Sequence, residues 1–301
     1  MTFNRRLAET FAVRFDSFSD SAFNGFLCQR GIDATALHCH SLGMKLITNI
    51  LALAAAVLLP QFSAVAQTNA PMAIATNAVP VIHTNTALVA GKHKTQRTDD
   101  VLQRARENPG AYDIEFIGDS ITQGWEGAGR NVWQEFYGKR KCINMGVSGD
   151  RTQNVLWRFD QGQLDGIKAR VAVVMIGTNN SNDNKAGVED NSTADILEGV
   201  QAIVQQIRTR QPDTKIILLG IFPRGQTFST QRGKILQVNE ALARLDDGRN
   251  IFYVDIGSQL IENEGSISKS MMKDYLHPGE AGYTIWAAAI EPKLKELLGE
   301  K

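Results

Sequence analysis

The sequence predicts an α/β fold, a three-layer α/β/α sandwich built on a five-stranded parallel sheet. Two observations carry this. Short apolar runs alternate with longer amphipathic segments after about residue 95, and most of the apolar runs end in Gly or Asp. Strands and helices taking turns imply a parallel sheet covered on both faces. The strand candidates are "IEFIG" (114–118), "CINMG" (142–146), "VAVVMIG" (171–177), "KIILLGI" (215–221) and "NIFYVDI" (250–256). Their continuous β-branched and apolar character suits strands buried from both sides. Between them, "NVWQEFY", "TQNVLWRF", "TADILEGVQAIVQQIRTR" and "QRGKILQVNEALARL" carry apolar residues at helical spacing, and a last helix spans 281–298.

The first 94 residues belong to a different regime. From Met44, "MKLITNILALAAAVLLPQFSAVAQ" has a short positive region, an unbroken apolar run and a small-x-small site before Gln67. This predicts a signal peptide over 44–66, cleavage after Ala66 and a secreted or periplasmic protein. The apolar run is too short for a bilayer of about 30 Å, and no Cys follows it for lipid attachment. Residues 1–43 are then expected to be an upstream extension, with translation starting at Met44; the alternative is an unusual leader. Residues 67–94, rich in Ala, Thr, Asn and Pro, are expected to form a flexible linker, and 95–301 the folded domain.

Cleavage would remove Cys28 and Cys39 and leave Cys142 alone, so no intramolecular disulfide is expected. Charge is balanced, with 32 basic and 32 acidic residues and no Lys/Arg run, which argues against nucleic acid as a partner. One His and one Cys in the domain give no metal-ligand cluster, and no cofactor is expected.

In parallel sheets ligands bind outside the carboxyl ends of the strands. Four polar loops leave that edge: "GDS", "GVSGD", "GTNN" and "DYLHPG". Of the five histidines, 38 and 40 precede the signal peptide and 83 and 93 fall in the linker, so His277 alone is assigned to the core. Neutral imidazole can take a hydroxyl proton near neutral pH. Asp274, three residues earlier, is close enough to fix its tautomer. Ser120 leaves the first strand after a glycine and is the matching nucleophile. Read on its tripeptide alone, it would be a helix cap. Ser148 lacks the spacing of a nucleophile elbow and is read as a loop residue. The N–H of Ser120, the N–H of Gly149 and the side-chain amide of Asn179 can supply three donors to an oxyanion; Asn180 is the candidate for an ordinary turn role.

These blocks, "GDSIT", "GVSGDRT", "GTNN" and "DYLHP", resemble the SGNH, or GDSL-type, esterase and lipase superfamily, most closely its platelet-activating-factor acetylhydrolase Ib catalytic subunits. The similarity runs over nearly all of residues 95–298. The resemblance implies a flavodoxin-like fold and a metal-independent serine esterase. It assigns Ser120 as nucleophile, His277 as base and then acid, Asp274 as orienter, and Ser120, Gly149 and Asn179 as oxyanion hole. It further implies an acyl pocket at Ile121, Thr178 and Leu276, whose bulk favours acetyl. The expected partner is a small-molecule or carbohydrate ester, with no stable membrane anchor and with a homodimer left open.

Export and the loop "NDNKAGVEDNSTAD" depart from those cytoplasmic relatives and point toward a carbohydrate O-acetylesterase. The alternative substrate is an acetylated phospholipid or lysophospholipid. Two rival classes are a non-catalytic carbohydrate-binding or surface protein and a mononucleotide binder using "GDSIT" at a helix start to hold phosphate.

Overall fold

The computed structural model describes residues 84–182 and 191–301. The stretches expected to be a signal peptide, an upstream extension and, over 67–83, a linker, together with most of the loop after the third strand, lie outside them. Five parallel strands, β1 (Gly110–Gly118), β2 (Cys142–Asn144), β3 (Ile167–Met175), β4 (Lys215–Leu219) and β5 (Ile251–Val254), form one sheet in the order β2-β1-β3-β4-β5. Ile114 pairs with Cys142 on one side and Val171 on the other, and Val173 pairs with Ile217. β1 and β3 begin earlier than expected, at Gly110 and Ile167, because the sheet extends their pairing backward through stretches, 110–113 and 167–170, that mix polar and apolar residues and form no continuous apolar run.

Side chains that alternate along the strands feed two cores, as a pleated strand requires. Ile114, Phe116, Val171, Val173 and Ile217 pack against α3 (Arg130–Tyr137) and α7 (Glu280–Leu298). Ile117, Ala172, Val174, Ile216 and Leu218 meet α4 (Thr152–Asp160), α5 (Thr193–Arg210) and α6 (Thr230–Leu242). The sandwich is thus three-layered, and the expected fold class is observed. The helix starts are written in the chain. Ser192 accepts from the Asp195 N–H while the Asp195 carboxylate accepts from the Ser192 N–H, a reciprocal cap on α5. Ser229 caps α6 by accepting from Arg232 N–H.

One helix was not anticipated. α1 (Gln96–Glu107) precedes β1, capped by Thr95 and buried through Val101, Leu102 and Ala105. Its many charged side chains masked the apolar stripe. The linker expectation is corrected at its C-terminal end: residues 84–94 are docked on the domain. Buried Ala87 accepts from Thr152 Oγ1, the Gly91 N–H donates to Gln153, and Asn154 donates back to the Gly91 carbonyl. Polar backbone pairing, which leaves no periodicity in the sequence, holds this segment.

The short α2 (Ser120–Gln123) opens directly on β1. Gly118 makes the junction possible, since a Cβ there would stand 2.2 Å from Thr122 Oγ1 and 2.3 Å from the Met175 carbonyl oxygen. Tyr283 of α7 donates to the Ile121 carbonyl at 2.7 Å and pins α2 from the far side.

In mid-β1, Glu115 is fully buried. Burial raises its pKa to about 8, with neighbouring Gln211 opposing part of the shift. The folded state keeps this proton while the unfolded chain releases it near the ordinary carboxyl value. Stability therefore falls as pH rises from about 4.5 toward 8. In Glu115→Gln this part of the decline disappears, which urea midpoints measured across that range will show.

Candidate active site

The strand order reverses direction between β1 and β3, and a crevice opens where the connections on either side diverge. Ser120 enters it from the end of β1 and Asn179 from beyond β3. The loop after β2 supplies Gly149, and the loop before α7 supplies Asp274 and His277. Thus all four polar loops meet on one rim.

Ser120 is the first residue of α2, and the cap is its neighbour: the buried Asp119 accepts from Ile121 N–H at 2.9 Å. Burial raises the Asp119 pKa to about 7. Because Asp119 caps the helix, the Ser120 hydroxyl is left to reach across the crevice, where its Oγ lies 2.8 Å from His277 Nε2. On the other side of the ring, His277 Nδ1 is 2.6 Å from Asp274 Oδ2. A carboxylate only accepts, so Nδ1 carries the proton and Nε2 is free to accept from the serine hydroxyl. The other Asp274 oxygen accepts from the amides of His277 and Leu276 at 2.8 and 3.1 Å. Although partial burial opposes ionisation, these amides and the imidazole hold Asp274 below the usual carboxylate range.

The loop that carries this pair is strained. Tyr275, between Asp274 and His277, has φ of 60°, unlike every other non-glycine among the described residues. Such a conformation costs on the order of 1–3 kcal/mol and persists where surrounding contacts dictate it. Here the Tyr275 carbonyl accepts from Gly225 N–H at 2.8 Å and its N–H donates to Met272.

The residues expected to supply oxyanion donors stand on loops that bound the same crevice. Gly149 has φ of 83°, a conformation open to glycine at little cost. Asn179 is half-buried and donates one amide hydrogen to the Asp150 carbonyl at 2.9 Å, which leaves its second hydrogen for another acceptor. Asn180 takes the structural role: it is buried, accepts from Thr152 N–H and donates to Thr152 Oγ1 and Asn191. Ser148 is an exposed loop residue whose N–H donates to Gln123 Oε1. Of the three residues expected to line an acyl pocket, Ile121 and Thr178 are buried and Leu276 is half-buried beside His277. Thr178 also accepts from Arg224 through its carbonyl and hydroxyl. The open cleft at Ser120, about 330 Å³, is lined instead by Gln123, Gly124, Glu126, Gly127 and Ser148.

Beneath the loop after β2 lies a charge pair that sequence reading missed. Asp150 and Arg158 are both fully buried and bonded at 2.9 Å. Arg158 also donates to Met145 and Gln163, and Asp150 takes a further bond from His93 Nδ1 at 2.9 Å. Burial still outweighs these partners and raises the Asp150 pKa. The assignment of His93 to a linker is corrected by this contact. The wide separation of His93 from Asp150 left no local spacing to reveal it. From α1, Arg97 donates to the Gly146 carbonyl and pairs with Glu126, so the unanticipated helix also braces the site.

The sequence profile of the GDSL-like Lipase/Acylhydrolase family matches residues 116–285, a span that begins within β1 and closes in α7. The chain belongs to this family. It is therefore a carboxylic ester hydrolase of GDSL type, as expected from its motifs. Platelet-activating factor acetylhydrolase IB subunit alpha2 of Rattus norvegicus is 36% identical over 189 residues, covering 62% of this chain and 78% of that protein. Among solved structures, a GDSL-like lipase from Bacteroides thetaiotaomicron superposes with a TM-score of 0.53 at 19% identity, over 66% of this chain and 98% of its own. The acetyl xylan esterase AlAXEase gives 0.52 at 19% identity, over 60% and 98%. At that identity the two structures speak to the fold.

Removing one partner of the buried pair leaves the other charge uncompensated. Arg158→Met is expected to lower stability by about 3–5 kcal/mol in urea titration. An unchanged midpoint would contradict the role given to the pair.

Proposed function

We propose that this acylhydrolase is an exported serine esterase that removes short acyl groups, acetyl above all, from hydroxyl-rich alcohols such as carbohydrates. The observation that carries the reading is the continuous relay from Asp274 through His277 to the Ser120 hydroxyl, at 2.6 and 2.8 Å. Ser120 Oγ attacks the ester carbonyl carbon as its proton passes to His277 Nε2. The N–H groups of Ser120 and Gly149 and the free amide hydrogen of Asn179 receive the negative charge on the carbonyl oxygen. Collapse breaks the ester C–O bond, and the departing alkoxide takes the proton from His277. A water molecule, deprotonated by His277, then attacks the acyl-enzyme and releases the acid.

Two features support a short acyl group and a polar alcohol. Ile121 and Thr178, next in the chain to Ser120 and Asn179, are closed off in the interior and Leu276 is half-buried, so they open no channel for a long acyl chain beside Ser120. The cleft on the other side of Ser120 is lined by Gln123, Glu126, Ser148 and glycines, which suits hydroxyl groups better than alkyl chains. Acetyl specificity is further favoured by the activity in the rat relative's name, and a sugar-borne acetyl by the polar lining of the cleft. The phospholipid alternative rests on the same rat relative, whose identity is the higher of the two. Export rests on the signal sequence over 44–66.

Ser120→Ala is expected to abolish hydrolysis of p-nitrophenyl acetate with the fold intact, and retained turnover would remove the mechanism. Asn179→Ala should lower kcat by roughly 10²- to 10³-fold; a loss of stability alone would return Asn179 to a turn role. In a substrate panel, acetylated xylo-oligosaccharides should be turned over faster than an acetylated phospholipid. The reverse order would favour the lipid reading.

A further inference from the structure

His93 is one of only two histidines among the described residues, and it lies against the site from a segment outside the family match. Its ring rests on Gly149: a Cβ built at that glycine would stand 2.8 Å from His93 Cε1 and 3.5 Å from Nε2. Both the ring and the backbone of His93 are tied down. Nδ1 bonds to the buried Asp150 at 2.9 Å, while the His93 carbonyl accepts from Thr98 Oγ1 at 2.7 Å and Thr95 N–H at 3.0 Å. The segment bearing it is tied to the start of α4 through Ala87 and Gly91.

The loop from Val147 to Asp150 needs such a support. Arg158 grips Asp150 from below, Asn179 holds the Asp150 carbonyl, and Gln123 holds the Ser148 N–H. Gly149 has no side chain of its own to lock its torsions, and glycine is the residue whose backbone turns most freely. An N–H that stabilises an oxyanion must be aimed before the charge develops.

We propose that His93 is a positioning residue: its imidazole, bonded to Asp150 and packed on the Gly149 α-carbon, fixes the direction of the Gly149 N–H, so that residues 84–95 form part of the working site. This rests on the reading of Gly149 as an oxyanion donor. The effect belongs to the transition state, not to substrate binding, because the donor matters most when charge sits on the carbonyl oxygen.

His93→Asn tests this directly, since the amide keeps a donor to Asp150 and removes the ring from Gly149. With p-nitrophenyl acetate, kcat should fall about 10-fold with KM unchanged, a fraction of what deleting a donor costs. Affinity for methylboronic acid, whose tetrahedral adduct on Ser120 mimics the intermediate, should fall by the same factor. The contact also predicts coupling: Gly149→Ala, which drives a methyl group into the ring, should cost less activity in the His93→Asn background than in the wild type. A kcat within about twofold of wild type, a change confined to KM, or strictly additive effects of the two substitutions would each overturn the proposal. Ser120→Ala measured alongside separates the two levels of the argument. Turnover surviving there would remove the esterase mechanism itself, whereas its loss together with full activity in His93→Asn would remove the role of His93 alone.

Discussion

The reversal of winding between β1 and β3 is the constraint on which the site depends. Parallel strands can be joined only through crossovers, and when these leave in opposite directions their loops part over the two central strands. Ser120 and Asn179 stand on either side of that parting, and His277 enters it from the loop before α7. None of these side chains is close to another in sequence. The 157-residue separation of Ser120 and His277 is closed by the sheet, with Tyr283 of α7 bonded to the Ile121 carbonyl to fix the two sides together.

Burial of charge supplies the rigidity beneath. The chain encloses Glu115 in mid-β1 and Asp119, Asp150 and Arg158 at the crevice, each carrying a cost that only pairing or neutralisation offsets. The solutions differ. Asp150 and Arg158 pair with one another, whereas Glu115 and Asp119 are pushed toward their neutral forms. The exposed acid of the relay goes the other way, because Asp274 meets backbone amides and an imidazole. Two aspartates that flank the same crevice thus have opposite tendencies: burial pushes Asp119 up although its bond from Ile121 N–H favours the charged form, whereas Asp274 stays charged and can hold a positive imidazole.

Much of this was legible in the sequence because it is local. Strand and helix order follows from apolar periodicity, and Asp274 reaches His277 within a single loop. The candidate residues could be named because their motifs sit where apolar runs end. What escaped depended on distant pairing. α1 is too charged to announce its buried stripe, His93 meets Asp150 across 57 positions, and Arg158 looks like any surface arginine in an amphipathic helix until its neighbours are known. Even the role of Ser120 was ambiguous until Asp119 was seen to cap the helix in its place.

The central claim is that the Ser120 hydroxyl, activated through His277, is the group that bonds to the acyl carbon. Treating the folded protein with a fluorophosphonate and mapping the modified peptide by mass spectrometry tests it most directly. The account predicts a single adduct on Ser120, formed far more slowly when His277 is replaced by alanine. An unlabelled protein, or an adduct on Ser148 or another hydroxyl, would contradict it.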